Sequence, residues 1–496
     1  MGKKENASSR VSLNKVGENG SSALRIRVRL CLRRVEPCYA PLLWGAFYFK
    51  EENMIRLYNS KSLKIEEFKT LKEGEVSMYV CGPTVYNHAH IGNARPIIVF
   101  DTLRRLFEAE GYKVTYVSNF TDVDDKIIKK AHEEGVSEKD VTARYIAAYN
   151  AVRAALNTRP LDAAPKVTET MDEIIAFIKE LVDKGYAYQI GGDVYFRVNK
   201  IPTYGEISNQ KLEELQVGAR IEENDKKESP FDFALWKETD MGIKWDSPFG
   251  EGRPGWHTEC VVMIEDNFHG MIDIHGGGMD LKFPHHENEV AQSRACHDHP
   301  IANYWLHNAM VNINGNKMSK SLGNGLLAKD VIASLGANLT RWFVLSAHYR
   351  KELNFSDETI DTARKELEKI TTALKQANVK MSLANADYGT EKDESFRKFL
   401  DAMDDDMNTP NAYAEVFEAV KQLNQALRTR EPDYAKVGKL VNSVEAMLEV
   451  LGIYVDRVVL SDEDKELYAA WNEAKKEKDF EKADVYRNQL TERGIL

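Results

Sequence analysis

The stretch from Val76 to Ser118 constrains the fold most. An apolar run, Val76–Val80, leads through a Gly/Pro turn into an amphipathic stretch, Ile97–Glu110, and then into a second strand-like run, Lys113–Ser118. Strand, crossover helix and strand in that order predict a βαβ unit, whose parallel sheet is buried between helices. Short apolar runs at Ile272–His275 and Ile301–Val311 restore the alternation around Gly-rich turns and predict the second half of the same sheet. Between them lie helical stretches at Glu138–Leu156 and Met171–Lys184, a strand-like Asp193–Val198 and a polar loop through Glu222–Glu228, which predict an inserted subdomain at about 145–250. Beyond Leu339 the periodicity is helical: Glu358–Ala377, Glu394–Met403, Asn411–Thr429, Tyr434–Leu451, Asp462–Lys476 and Phe480–Arg493. The expected fold class is α/β: a Rossmann-like parallel-sheet domain over 54–338, followed by all-α regions at 339–390, 391–455 and 456–496.

A chain of 496 residues, 43% hydrophobic, has room for roughly three or four domains and excludes disorder and collagen-like repeats. No run approaches the roughly 18 apolar residues of a membrane span, the nearest being Leu42–Phe49 with Gly45 inside it. Five cysteines form no C-x-x-C pair and are too scattered for a disulfide scaffold, so a reducing, cytoplasmic compartment is expected. The net charge of -11 argues against non-specific polyanion binding while leaving room for a local basic face. Residues 1–53 carry +5 of that total, which leaves -16 on the remainder. A targeting segment, a basic tail and upstream sequence joined to a chain that starts at Met54 compete as readings. The last is favoured, because Ile55-Arg56-Leu57-Tyr58 alternates like a first strand. The segment 1–53 is thus expected to be an atypical extension, disordered or not native.

Three constellations carry chemistry. The turn from Cys81 to Pro96, CGPTVYNHAHIGNARP, joins a strand to a helix, where open α/β sheets bind ligands. A helix N-terminus offers free N–H groups to phosphate, Gly92 permits close backbone approach, and His90 and Asn93 add donors. A capped polar turn is the bland alternative. Lys317-Met318-Ser319-Lys320-Ser321 follows an Asn-Gly-Asn turn; alone it is a solvated basic loop, but two lysines there can neutralise charge building on a leaving pyrophosphate. The pairing of the two motifs, more than 200 residues apart and in order, strengthens both.

In Pro284-His285-His286-Glu287-Asn288-Glu289, Pro284 suits a first helical turn, and His285 and Glu289 at i, i+4 then share a face that can bite a cation. Cys81 and Cys260 are candidates for the other ligands, since zinc takes thiolate, imidazole and carboxylate. Spacing alone does not bring them together, and for each cysteine taken alone a buried small hydrophobe is the favoured reading, which the His285/Glu289 pair weakens without reversing. Cys296 lies about 10 Å beyond Glu289 along a helix, too far to share its ion. Asn119 to Lys126 follows the second strand and faces the same crevice, with an acidic helix cap as alternative. In His275-Gly276-Gly277-Gly278-Met279-Asp280 the glycines permit flat contact with a base, and Asp280 is placed to hold a ribose hydroxyl; a plain tight turn is the alternative.

These residues, with NFTDVDDKI, GDVYF, YGEIS, FDFALWK, SPFGEGRPGWHTEC, HGGGMDLKFPHHENE, NKMSKSLGN, HYRKELNFS and MDDDMNTPNA, occur in an order that resembles the cysteinyl-tRNA synthetases, class I aminoacyl-tRNA synthetases, from Met54 to about Ile495. Asn93 stands where the family's H-I-G-H signature has its second histidine, and it keeps a hydrogen-bond donor. The resemblance implies Cys81, Cys260, His285 and Glu289 as ligands of one Zn2+, and Thr121 and Trp256 as lining of the amino-acid pocket. It implies that His90, Asn93, Gly92, Gly277, Asp280, Lys317 and Lys320 serve ATP and the adenylation transition state, with His90, Asn93 and the two lysines catalytic. The implied reaction forms cysteinyl-adenylate from L-cysteine and Mg2+-bound ATP, then charges tRNA(Cys). Such chemistry needs positioning and charge stabilisation more than acid or base groups.

The resemblance also implies a stem-contacting region at 339–390 and an anticodon-binding bundle at 391–455, with Thr409 and Pro410 expected as N-cap and N1 of one helix. Many members carry a strand pair with a Trp beyond the segment matching 479–495, so the anticodon contacts are the loosest part of the match. The expected partners are tRNA(Cys), L-cysteine and ATP, with no membrane, and a monomer is expected. Two rivals are a cysteine ligase with an amino-sugar acceptor, which has little use for an anticodon bundle, and a non-catalytic paralogue, which would not keep His90, Lys317, Lys320 and four ligands.

Overall fold

The computed structural model describes residues 54–210, 227–317 and 325–496, with the side chain of Lys317 excepted. The expectations for 1–53, for most of the polar loop at 222–228 and for Met318–Asn324, Lys320 included, lie outside the described residues.

A hairpin of β1 (Arg56–Asn59) and β2 (Lys64–Glu67) precedes β3 (Glu75–Val80), α1 (Ile91–Ala109) and β4 (Lys113–Val117), the expected βαβ unit. The insertion holds α2 (Asp125–Glu134), α3 (Glu138–Ala155), α4 (Met171–Asp183) and the strands β5 (Ala187–Ile190), β6 (Asp193–Phe196), β7 (Phe233–Glu238) and β8 (Gly252–Pro254), which form an antiparallel sheet in that order. The chain returns through α5 (Glu259–Phe268), β9 (Ile272–Gly278), α6 (Glu287–His297) and β10 (Ala302–Asn308). The central sheet has the order β10-β9-β3-β4 and is parallel throughout. Alternation along its strands sorts side chains between two cores: Met78 and Val80 join a cluster with α1 and the C-terminal helices, whereas Tyr79 joins the cluster of the inserted sheet.

A small sheet follows: β11 (Val311–Ile313) pairs with β12 (Asn316–Lys317) on one side and, after α7 (Ala328–Leu345), with β13 (Leu353–Phe355) on the other. The remainder is helical: α8 (Asp357–Leu383), α9 (Glu394–Asp404), α10 (Thr409–Arg428), α11 (Tyr434–Val450), α12 (Asp462–Glu477) and α13 (Phe480–Glu492). Among the described residues no helix is long and apolar enough to cross a membrane.

Three local expectations need correction. Helix α1 begins at Ile91, not Ile97, and takes Pro96 inside it. In the second turn a missing N–H forfeits one bond, and the buried face of Ile97, Ile98, Phe100 and Leu103 outweighs that loss. Pro284 is not the first residue of α6: Phe283 before it is extended (φ -141, ψ 134), as a residue before proline prefers, so Lys282–His286 form a separate turn and α6 starts at Glu287. At α10 the N-cap is Asn408, whose side chain accepts from the Asn411 N–H, which puts Thr409 at N1 and Pro410 at N2.

Candidate active site

The C-terminal ends of β3 and β9 open into one cavity, lined by Cys81 to His90, Gly92 and Asn93 on one side and by Trp256, Gly278, Asp280 and Asn308–Val311 on the other. Cys81 leaves β3 into a turn that passes close under Asn119. A Cβ on Gly82 would fall 1.6 Å from the Asn119 carbonyl oxygen, so no larger residue fits there. The Gly82 N–H donates to Asn119 Oδ1 at 2.8 Å, and this fixes where Cys81 points.

Four candidate ligand atoms from separate elements converge around Cys81, which lines this cavity. Cys81 Sγ lies 3.6 Å from Cys260 Sγ and 3.6 Å from Glu289 Oε1. Cys260 Sγ lies 3.7 Å from His285 Nε2, which is 2.8 Å from Glu289 Oε1. A tetrahedral zinc with bonds near 2.3 Å to sulfur separates two thiolates by about 3.7 Å, as the two sulfurs here are, while His285 and Glu289 stand at hydrogen-bond distance and open by about 0.5 Å to admit the ion. His275 and His286 converge with Cys81 and Glu289 as a second, overlapping set. The first fits better, because its ligands then keep outer partners: His275 Nε2 holds Glu289 Oε2 at 2.6 Å, and His257 Nδ1 meets His285 Nδ1 at 3.1 Å. His286 continues outward instead, Nδ1 to His307 Nε2 and from there to Ser60 Oγ, each at 2.8 Å.

The electrostatics suit a cation. A hydrogen bond from Cys81 brings the Cys260 thiol down to about 6 against burial, helped by His285, while burial and Cys260 push Cys81 up. Burial opposes the charge on His285, yet Glu289 and Cys260 raise it to about 10. Burial would also raise Glu289, but His275 and His285 hold it well below the usual carboxylate range. Burial and His285 lower His257 to about 3, which keeps it a neutral partner. Thiolate, imidazole and carboxylate in one buried cluster are a donor set that could hold a divalent cation.

Trp256 stacks on His285 with centroids 4.4 Å apart and leaves 43% of its surface exposed. Thr121 is buried and donates to Glu259 Oε2 at 2.6 Å, one residue from Cys260. His90 caps α1, and its N–H donates to Asn93 Oδ1 at 3.1 Å, so Asn93 orders the turn as well as facing the cavity. Gly277 is buried in β9 beside His307 and does not line the cavity; Gly278 does. A Cβ on Gly278 would fall 2.4 Å from Asp280 Oδ1. Lys317 ends β12, which pairs with β11 in the small sheet.

The outer histidines were missed from the sequence. Their signal was the density of histidine in HGGG, PHHENE and WHTEC, where His275, His286 and His257 stand beside assigned ligands; His307 had none.

Comparison with known proteins fits this geometry. Residues 67–365 match the family described as tRNA synthetases class I (C) catalytic domain, and residues 398–455 match the DALR domain. Among solved structures, methionyl-tRNA synthetase of Mycobacterium tuberculosis in complex with methionyl-adenylate has a TM-score of 0.57 at 15% identity over 76% of this chain and 89% of its own. A crystal structure described as a putative arginyl-tRNA synthetase from Campylobacter jejuni has a TM-score of 0.55 at 15% identity, over 78% and 95%. At such identity they show the fold alone. Fold and matched domains together define a class I aminoacyl-tRNA synthetase, an ATP-dependent ligase. Curated cysteine–tRNA ligases narrow this further: that of Halalkalibacterium halodurans is 48% identical over 89% of this chain and 97% of its own, and that of Exiguobacterium sibiricum 49% identical over the same shares. The chain belongs to the cysteine–tRNA ligase family.

Proposed function

We propose that this protein selects L-cysteine through a zinc ion held by Cys81, Cys260, His285 and Glu289, activates it with Mg2+-bound ATP, and charges tRNA(Cys) as a cytoplasmic monomer. The observation that carries the reading is the convergence of those four side chains at Cys81, which itself lines the cavity that also holds His90, Asn93 and Asp280. Zinc, when bound there, supplies a soft partner for a substrate thiolate and a poor one for a serine hydroxyl. Apolar contacts discriminate such isosteres only about 10- to 200-fold, so a thiolate-selective floor removes the need for editing.

The rest follows from this chain's own residues. Trp256, stacked on His285, covers the bound side chain, and Thr121, held by Glu259, fixes the adjoining wall. The substrate carboxylate attacks the α-phosphate in line, forming the carboxyl–phosphate bond as the bond to pyrophosphate breaks. His90, Asn93 and the positive end of the α1 dipole bind the phosphates, and Asp280 holds the ribose. Lys317 and Lys320 neutralise the leaving pyrophosphate. The 3'-terminal adenosine of tRNA then takes the cysteinyl group and AMP departs.

The all-α extension favours tRNA over an amino sugar as acceptor. Within it we assign stem contact to 339–390 and anticodon contact to 391–455. Charging tests this: the protein esterifies tRNA(Cys) with cysteine, and cysteine transfer to an amino sugar with tRNA(Cys) left uncharged would overturn the reading.

A further inference from the structure

Arg95 sits five residues beyond the His90 cap, on α1, and is wholly buried. Its guanidinium is held by backbone carbonyls. Nη1 donates to the Ala309 and Met310 oxygens at 2.8 Å each, and Nη2 to the Lys351 oxygen at 2.5 Å and the His348 oxygen at 3.3 Å. A buried cation is costly, and an apolar side chain of similar volume packs as well. What an apolar residue cannot do is grip four carbonyls in one planar fork.

Those carbonyls belong to two segments. Ala309 and Met310 join β10 to β11, and His348 and Lys351 lead into β13. Strands β11 and β13 pair in parallel, and β11 also pairs with β12, whose last residue, Lys317, opens the K-M-S-K-S sequence. Ala309, Met310 and Val311 line the same cavity as His90, Gly92 and Asn93. One guanidinium thus ties the helix that begins at the first signature to both strands that support the second. Because the C=O and N–H of a peptide point in opposite directions, a fixed Ala309 carbonyl also fixes which way the Met310 N–H faces.

We propose that Arg95 is a positioning residue for adenylation: it sets the separation between the His90–Asn93 turn and the hairpin bearing Lys317, and with it the geometry in which the triphosphate is bound. The proposal rests on the adenylation reading above.

Arg95→Lys keeps the charge but loses the fork. The control is Arg105→Lys, an equally buried arginine farther along α1 that binds Asp101, the Glu449 carbonyl and the Tyr454 hydroxyl. In cysteine-dependent ATP–pyrophosphate exchange, Arg95→Lys is expected to lower kcat/KM for ATP about tenfold or more, with KM for cysteine and zinc content unchanged. Arg105→Lys is expected to lower Tm without that change. Equal loss of Tm in both, with kcat/KM for ATP per folded chain unaltered, would overturn the proposal.

Hydrogen exchange on the unaltered full chain needs no variant. A non-hydrolysable ATP analogue is expected to protect residues 91–95 and 309–313 together, and protection of either stretch alone would overturn the proposal. An unaltered chain without cysteine-dependent exchange contradicts the adenylation reading instead, and joint protection by nucleotide still decides the role of Arg95.

Discussion

His275 Nε2 lies 2.6 Å from Glu289 Oε2, while the other oxygen of the same carboxylate faces His285 and Cys81. One imidazole thus holds in place from behind the carboxylate proposed as a zinc ligand. Loss of such an outer partner weakens metal affinity about 10- to 100-fold without removing a ligand. His275→Ala is expected to bind zinc that much more weakly and to regain cysteine activation when zinc is added. Competition with a chelator checks this, and wild-type affinity would contradict the orienting role.

Cys260→Ala removes a proposed ligand itself, a buried thiol on α5. Zinc retention and cysteine activation are expected to disappear together. Metal analysis beside the exchange assay tests the coupling; an active, zinc-replete variant would refute the ligand set.

In the proposed reaction Lys320 serves the leaving pyrophosphate alone, so Lys320→Ala acts at that end. Loss of one charge-stabilising donor costs about 100- to 1000-fold in the chemical step. Adenylation is expected to slow on that scale with zinc content unchanged, and a metal-free product would contradict the separation of the two ends.

The joint between α1 and α9 carries a pH dependence. Arg397 bridges Glu110, Asp401 and Asp404, and burial with Glu110 pushes the Asp404 carboxyl up to about 7 despite Arg397. An unfolded aspartate titrates near 3.9. Between about pH 4 and 7 the folded chain therefore keeps a proton that the unfolded chain has lost, and stability falls as pH rises through that window. Asp404→Asn is expected to flatten this part of the Tm–pH curve; an unchanged slope would contradict the assignment.

Periodicity made the βαβ unit and the C-terminal helices legible, because buried faces recur at the spacing of their own element. Where the outcome depended on tertiary packing, it did not: Pro96 marks a helix boundary locally, but a buried face carried α1 past it. The i, i+4 pair of His285 and Glu289 could be read directly, whereas the meeting of Cys81 and Cys260 is a product of the parallel order β9-β3. The grip of Arg95 was invisible for the same reason, since backbone carbonyls 214 to 256 residues away leave no trace in side-chain pattern.

The most direct test of the account is cysteine-dependent ATP–pyrophosphate exchange on the purified protein, with serine as the competing substrate and zinc quantified in the same sample. The account predicts exchange with cysteine and not serine, at about one zinc per chain. Zinc-replete protein that exchanges with neither, or that accepts serine as well as cysteine, would contradict it.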